Sequence, residues 1–224
     1  MVLRSAASFL LLLVCAVASP QTTAQPASRI PSVFHDPALG ITYFYPNRFT
    51  PVAPAKAQAQ STCAHETLAG SSVTPVGTSA FVLSTIDQTC PAILQAATRN
   101  LDAFTREQVF RQLKQYGEPV IVHDPARYFV DGHPAAITIA SAEHPRPANV
   151  NNMVRPEMTY AAKACVLGEI PTKRGKSTPA QDTKHVLCFD FTTSQHDLLP
   201  LLLAFTVQFD GRGPQPLVPG SILR

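Results

Sequence analysis

Two short runs gather the ionisable side chains best placed to do chemistry. His123-Asp124 and Asp131-Gly132-His133 flank the strand-like stretch Ala126–Val130. An imidazole beside a carboxylate suits general acid–base work, because histidine titrates near neutrality and a carboxylate can orient its ring. If the chain folds back at Asp131-Gly132, then His123, Asp124, Asp131 and His133 could converge at one end of a hairpin. A small exported hydrolase could use such a cluster. The same residues also fit ordinary turn chemistry: Asp124-Pro125 starts a turn and Asp131-Gly132 makes a tight one.

Other chemistries find less support. The seven histidines form no His-x-x-x-His or His-Glu-x-x-His set, and Cys63 with His65 has no second ligand pair, so neither metal nor cofactor is expected. A serine nucleophile on a sharp turn would show Gly-x-Ser-x-Gly; Gly70-Ser71-Ser72 reads as a plain loop instead. Gly175-Lys176-Ser177 matches the tail of a phosphate-binding loop. However, six residues rather than four separate Gly168 from Gly175, and Pro179 stops a helix from opening there.

The cysteines are better read as pairs. Arg4, the apolar run 5–17 and the small residues of Ala16-Val17-Ala18 make 1–18 a secretory signal peptide, with Ala24 a second possible cut point. The run is short for a membrane span, and no span is expected in the mature chain. Cleavage after Ala18 leaves Cys63, Cys90, Cys165 and Cys188 of the five cysteines. An even set in an exported chain points to disulfides, and hence to a secreted or periplasmic protein. Of the three possible pairings, Cys63–Cys90 and Cys165–Cys188 are preferred. Cysteine catalysis by Cys63 would then have no thiol to work with. Cleavage also removes one base, Arg4, from 18 basic and 15 acidic residues, so the net charge is +2 rather than +3. That bias gives no ground for nucleic-acid binding.

The elements that must position these residues begin after a Pro/Gln/Thr-rich leader at 19–31. Gly40–Pro46 and Thr78–Ile86 read as strands, and Pro51–Gln60 as irregular. Pro91 suits a first helical position; Ile93, Ala97, Leu101 and Phe104 recur at helical spacing. A second helical piece covers Arg106–Tyr116. Pro119–His123, Ala126–Val130 and His133–Ala142 are strand-like, and Glu143–Pro156 is a loop.

The stretch 158–193 fixes a register. With Cys165 opposite Cys188, Lys163 faces Asp190, Ala162 faces Phe191 and Ala164 faces Phe189. Opposite charges and small-against-large pairs suit adjacent antiparallel strands. Alternation then puts Ala162, Ala164, Val166, Leu187, Phe189 and Phe191 on one face and the cysteines on the other. Between these strands, Gly168–Thr183 reads as an exposed loop with a basic tip at Lys173, Arg174 and Lys176. Asp197–Phe209 reads as a buried helix with Asp197 as N-cap, a strand over Ala204–Phe209 being the alternative. The tail 211–224 reads as loose. The sum is one α+β domain over 32–210: a mostly antiparallel sheet with helices packed on it, sandwich-like in α/β/α layers.

Gly40-Ile-Thr-Tyr-Phe-Tyr-Pro46-Asn-Arg-Phe49 resembles the opening of PsbP-like domains, with Phe49 where those domains usually carry Trp. The C-terminal hairpin followed by a closing apolar helix with Thr206-Val-Gln-Phe209 is similar as well. The resemblance implies an antiparallel sheet between helices. It transfers no catalytic residue, since such domains serve as photosystem subunits, a Ran-binding protein and bacterial lipoproteins. The expectation is an exported, non-enzymatic binding or assembly accessory protein whose partner is another protein or an envelope component. A small-ligand carrier, with a pocket between the sheet and the C-terminal helix, is the alternative to set beside the hydrolase.

Overall fold

A computed structural model describes residues 30–52, 63–75, 77–145, 156–170 and 183–223. The expected signal peptide, most of the expected leader, most of Pro51–Gln60, and the basic tip with Lys173, Arg174 and Lys176 lie outside the described residues.

Among the described residues, eleven strands and two α-helices follow in the order β1 (Ser32–Asp36), β2 (Ile41–Tyr45), β3 (Thr50–Val52), β4 (His65–Thr74), β5 (Gly77–Ile86), α1 (Pro91–Arg99) and α2 (Leu101–Leu113). After them come β6 (Pro119–Val130), β7 (His133–Glu143), β8 (Met158–Ile170) and β9 (Thr183–Thr193). A 3-10 helix (His196–Ala204), β10 (Thr206–Phe209) and β11 (Gln215–Pro216) close the chain. Every strand pair is antiparallel. One sheet has seven strands, β3-β4-β5-β9-β8-β7-β6, and the other four, β1-β2-β10-β11.

The β8–β9 register is the one the cysteines and charges imply. Cys165 pairs with Cys188, Lys163 with Asp190, Ala162 with Phe191 and Ala164 with Phe189. The strands run on beyond the expected ends, to Ile170 and from Thr183, so part of the expected loop is ladder. Phe189 and Phe191 point to the small sheet and bury there with Tyr43, Phe49, Phe81 and Phe205. Ring centroids in this cluster lie 4.8–6.4 Å apart, within the range of tilted and edge contacts. Burying each such ring contributes about 1.5–3 kcal/mol.

The opposite face of the large sheet carries the helices. Leu94 and Ala97 of α1 and Phe104 of α2 pack over the Cys165–Cys188 disulfide. Val109 and Leu113 of α2 rest on Ala140, Ala142 and Ala161, small residues that let the helix approach the sheet. The layering is therefore helices, large sheet, small sheet. The α/β/α expectation is corrected on its second outer layer, which the small sheet and the 3-10 helix supply.

That correction begins at Pro200. Proline lacks the N–H an α-helix needs and its ring crowds the carbonyl four residues earlier. The segment winds as a 3-10 helix with Gln195, not Asp197, before it, and Asp197 is exposed. Thr206–Phe209 then pairs with Ile41–Phe44, so the strand alternative is the one realised there. The tail is not loose: β11 pairs with β10, and Leu217 and Val218 are buried in the core.

Three local readings also change. Asn100, expected inside one helix, is extended and ends α1; its side chain accepts from the Ala103 N–H at 3.2 Å and caps α2. Gly70-Ser71-Ser72 lies inside β4, where a side chain at Gly70 would meet the Phe81 ring at 2.5 Å. Asp124-Pro125 is an irregularity within the single strand β6, marked by register shifts from Ile121 to Ala126.

Candidate functional site

The structure separates the two halves of the cluster read from the sequence. Val130 pairs with His133 across the two-residue turn, whose Asp131 and Gly132 both have positive φ, 52° and 82°. His123 pairs with Ile139, six residues further along β7, which at the rise of a strand is about 20 Å. His123 is half-buried and Asp124 exposed on the outer strand of the sheet. Asp131 takes an ion pair from the Arg212 guanidinium at 3.1 Å, and the His133 ring lies 4.9 Å from that of Phe209. Nearby, the Tyr128 hydroxyl donates to the Leu217 carbonyl, and burial pushes its pKa well up. Asp131 and His133 thus meet the C-terminal segment, and the four residues do not converge.

Both disulfides form as preferred, Cys63–Cys90 and Cys165–Cys188. Cys63 therefore offers no thiol to His65. That imidazole instead approaches Asp87 at 3.7 Å and Thr89 at 3.3 Å. Among the described residues, no group of three or more His, Cys, Asp or Glu side chains is arranged to hold a metal ion, and no helix is long and apolar enough to cross a membrane.

Three polar places carry the remaining chemistry. The first is a groove of about 840 Å³ between α2 and β6. Ala103, Phe110, Pro119 and Pro125 give it an apolar floor. Around that floor Arg127 is paired with Asp102, Arg111 with Glu107 at 2.6 Å, and the Arg106 guanidinium lies 5.3 Å over the Phe110 ring. Asp102 Oδ1 is buried with no hydrogen-bond donor against it. The second is the Lys163–Asp190 pair, bidentate at 2.7 Å to each oxygen, at the floor of a smaller hollow beside Gln112. The third lies where strand ends meet beyond α2. There His144 Nε2 bonds Thr159 Oγ1 at 2.7 Å, His144 Nδ1 lies 3.7 Å from Glu157, and the Tyr116 ring stacks on the imidazole at 5.1 Å.

Only the Lys163–Asp190 pair among these was visible in the sequence, as a cross-strand match. The α2–β6 groove had no sequence signal, because Asp102 and Arg127 lie 25 residues apart and meet only through packing. The third cluster could have been found by asking what faces His144 across the chain: its N–H bonds the Glu157 carbonyl at 2.9 Å.

Solved structures that the chain is similar to include the following two. One is the solution structure of cyanobacterial PsbP (CyanoP) from Synechocystis sp. PCC 6803, at 11% identity over 81% of this chain and 88% of that one, with a TM-score of 0.42. The other is LpqN of Mycobacterium tuberculosis, involved in cell envelope biogenesis, at 13% identity over 75% of this chain and 80% of that one, with a TM-score of 0.36. The first of these is a PsbP, the kind of domain that the Gly40–Phe49 stretch resembles. No family model and no curated protein matches the sequence.

Proposed function

We propose that the chain is an exported, non-enzymatic binding or assembly accessory protein that holds another protein or an envelope component in the α2–β6 groove. The observation that carries this reading is the groove itself. An apolar floor bounded by fixed charges suits recognition of a partner surface, with the floor giving area and the charges giving register. Two disulfides suit an oxidising compartment outside the cytoplasm. A ligand carrier with its pocket under the C-terminal segment is less well supported, because Leu199, Leu202 and Phe205 fill that interface as core.

Photo-crosslinking tests the proposal. A benzophenone side chain in place of Lys114, on the groove wall, should give a discrete adduct in the native source. The same probe in place of Val33, exposed on β1 at the edge of the small sheet, should not. Phe110→Ala and Arg106→Glu should each reduce the Lys114 adduct. No adduct, or the same adducts from both positions, would count against the groove as the docking surface.

A further inference from the structure

The third polar place is unlike the other two in its chemistry. It is a cleft of about 500 Å³, within the roughly 300–1,000 Å³ range of ligand pockets. The ends of β4, β5, β7, β8 and β9 form its walls, and the chain just beyond α2 closes one side. Among the described residues its lining contains no lysine or arginine, and its only carboxylate is Glu157. Hydroxyls dominate instead: Ser71, Ser72, Thr78 and Thr192 among them.

We infer that this cleft binds a neutral, polyhydroxylated ligand, a glycan segment. A hydroxyl offers one donor and two lone pairs, and its hydrogen rotates to suit a partner. A wall of hydroxyls can therefore replace the water around a sugar's own hydroxyls one for one. An anionic ligand would find no such exchange, because no lysine or arginine among the described residues of the lining offsets the desolvation of an anion. Internal bonds leave capacity in place. Thr192 Oγ1 accepts from Gln112 Nε2 at 2.8 Å and keeps its own proton to donate. Ser79 and Thr193 satisfy each other at 3.0 Å and form a fixed floor. The Tyr116–His144 stack, tilted by only 18°, supplies a flat aromatic wall of the kind against which the C–H face of a pyranose packs. His144 is held in place by Thr159, and Glu157 projects beside it as a two-oxygen acceptor suited to vicinal hydroxyls.

This inference goes beyond the binding reading given above and uses a different surface. It can therefore fail while the α2–β6 groove still docks a partner. The probes are neutral hexasaccharides: maltohexaose, cellohexaose and the β-1,4-linked N-acetylglucosamine hexamer. They are titrated by calorimetry into the whole mature protein, with glucose and N-acetylglucosamine as single-ring controls. At least one hexamer should bind. Tyr116→Ala and Glu157→Gln should each weaken it about tenfold, and Arg106→Glu, in the other groove, should leave it unchanged. Glu157 is largely exposed, so Glu157→Gln tests the site without threatening the fold. Single sugars binding as tightly as the hexamers would make the ligand a free small polyol rather than a polymer, and would uphold the cleft chemistry. Absence of heat and of ligand-induced shifts in the Tyr116 ring NMR signals for every probe at 10 mM, on the order of the weakest useful affinity, would overturn the inference. Binding indifferent to both cleft variants would overturn it too.

Discussion

Asp87 shows how a single carboxylate is tuned by its immediate donors. Thr89 gives it a hydroxyl hydrogen bond at 2.6 Å and a backbone N–H at 2.8 Å, and the His65 ring adds a positive partner when protonated. The Thr89 hydroxyl contributes most, and the carboxyl titrates below its ordinary value. A depressed carboxylate pKa adds stability above the ordinary aspartate range near 3.9, and that contribution is lost as pH falls through the folded-state value. Thr89→Ala should raise the Asp87 pKa toward the ordinary value and move this acid loss to higher pH. Carboxyl-carbon NMR titration reads the shift directly; an unmoved Asp87 would assign the effect to the backbone N–H or to His65. Asp131 makes the complementary point. Its left-handed φ of 52° suits an aspartate in a tight turn, and its charge is spent on Arg212. What looks like acid–base chemistry in the sequence is turn geometry joined to a tie across the C-terminal segment.

At the scale of elements, the β8–β9 hairpin was legible because three independent patterns agreed on one register: paired cysteines, paired charges and small-against-large apolar residues. The charge pair also carries a prediction. Lys163 and Asp190 are mostly removed from solvent, with side chains 11% and 20% exposed. Removing one partner strands the other, so Lys163→Met should destabilise the fold by about 2–3 kcal/mol, below the usual 3–5 for a fully buried pair because water still reaches Asp190. Lys163→Met with Asp190→Leu should recover most of that loss, since apolar replacements of similar volume leave no uncompensated charge. Urea melts of the singles and the double close the cycle; a double as unstable as the single would show that the pair holds the hairpin by more than charge compensation. Elsewhere local signals competed with packing. Gly70-Ser71-Ser72 has loop composition, yet it pairs across β5 because the Phe81 ring needs the space above Gly70. Thr206–Phe209 carries a continuous apolar approach that suits a helix, and only its pairing with β2 decides for a strand. The candidate sites were least legible for the same reason: Phe110 and Pro125, or Tyr116 and Thr192, become neighbours only once the helix layer is laid on the sheet.

For the whole molecule, the decisive contact is the closure of the small sheet over the aromatic core. β2 sits at its centre, with β1 on one side and β10 on the other, so strands from the two ends of the chain share a ladder. The last turns then reach back. Leu217 and Val218 are buried, the Leu217 N–H bonds the Phe205 carbonyl at 3.1 Å, and the Tyr128 hydroxyl meets the Leu217 carbonyl. This links the tail to the 3-10 segment and to β6 at once. Leu217→Ala should therefore cost about 2–4 kcal/mol, the range for emptying a buried leucine site, and lower the urea midpoint with little change in slope. Deletion of 211–224 removes both buried residues together with Arg212, the partner of Asp131. It should expose the aromatic cluster to a hydrophobic dye and broaden or abolish the cooperative transition. If the deleted chain melts as sharply and as late as the intact one, the segment is an ornament on a core that β2 and β10 already close. A sharp loss assigns to these fourteen residues the task of sealing the sandwich.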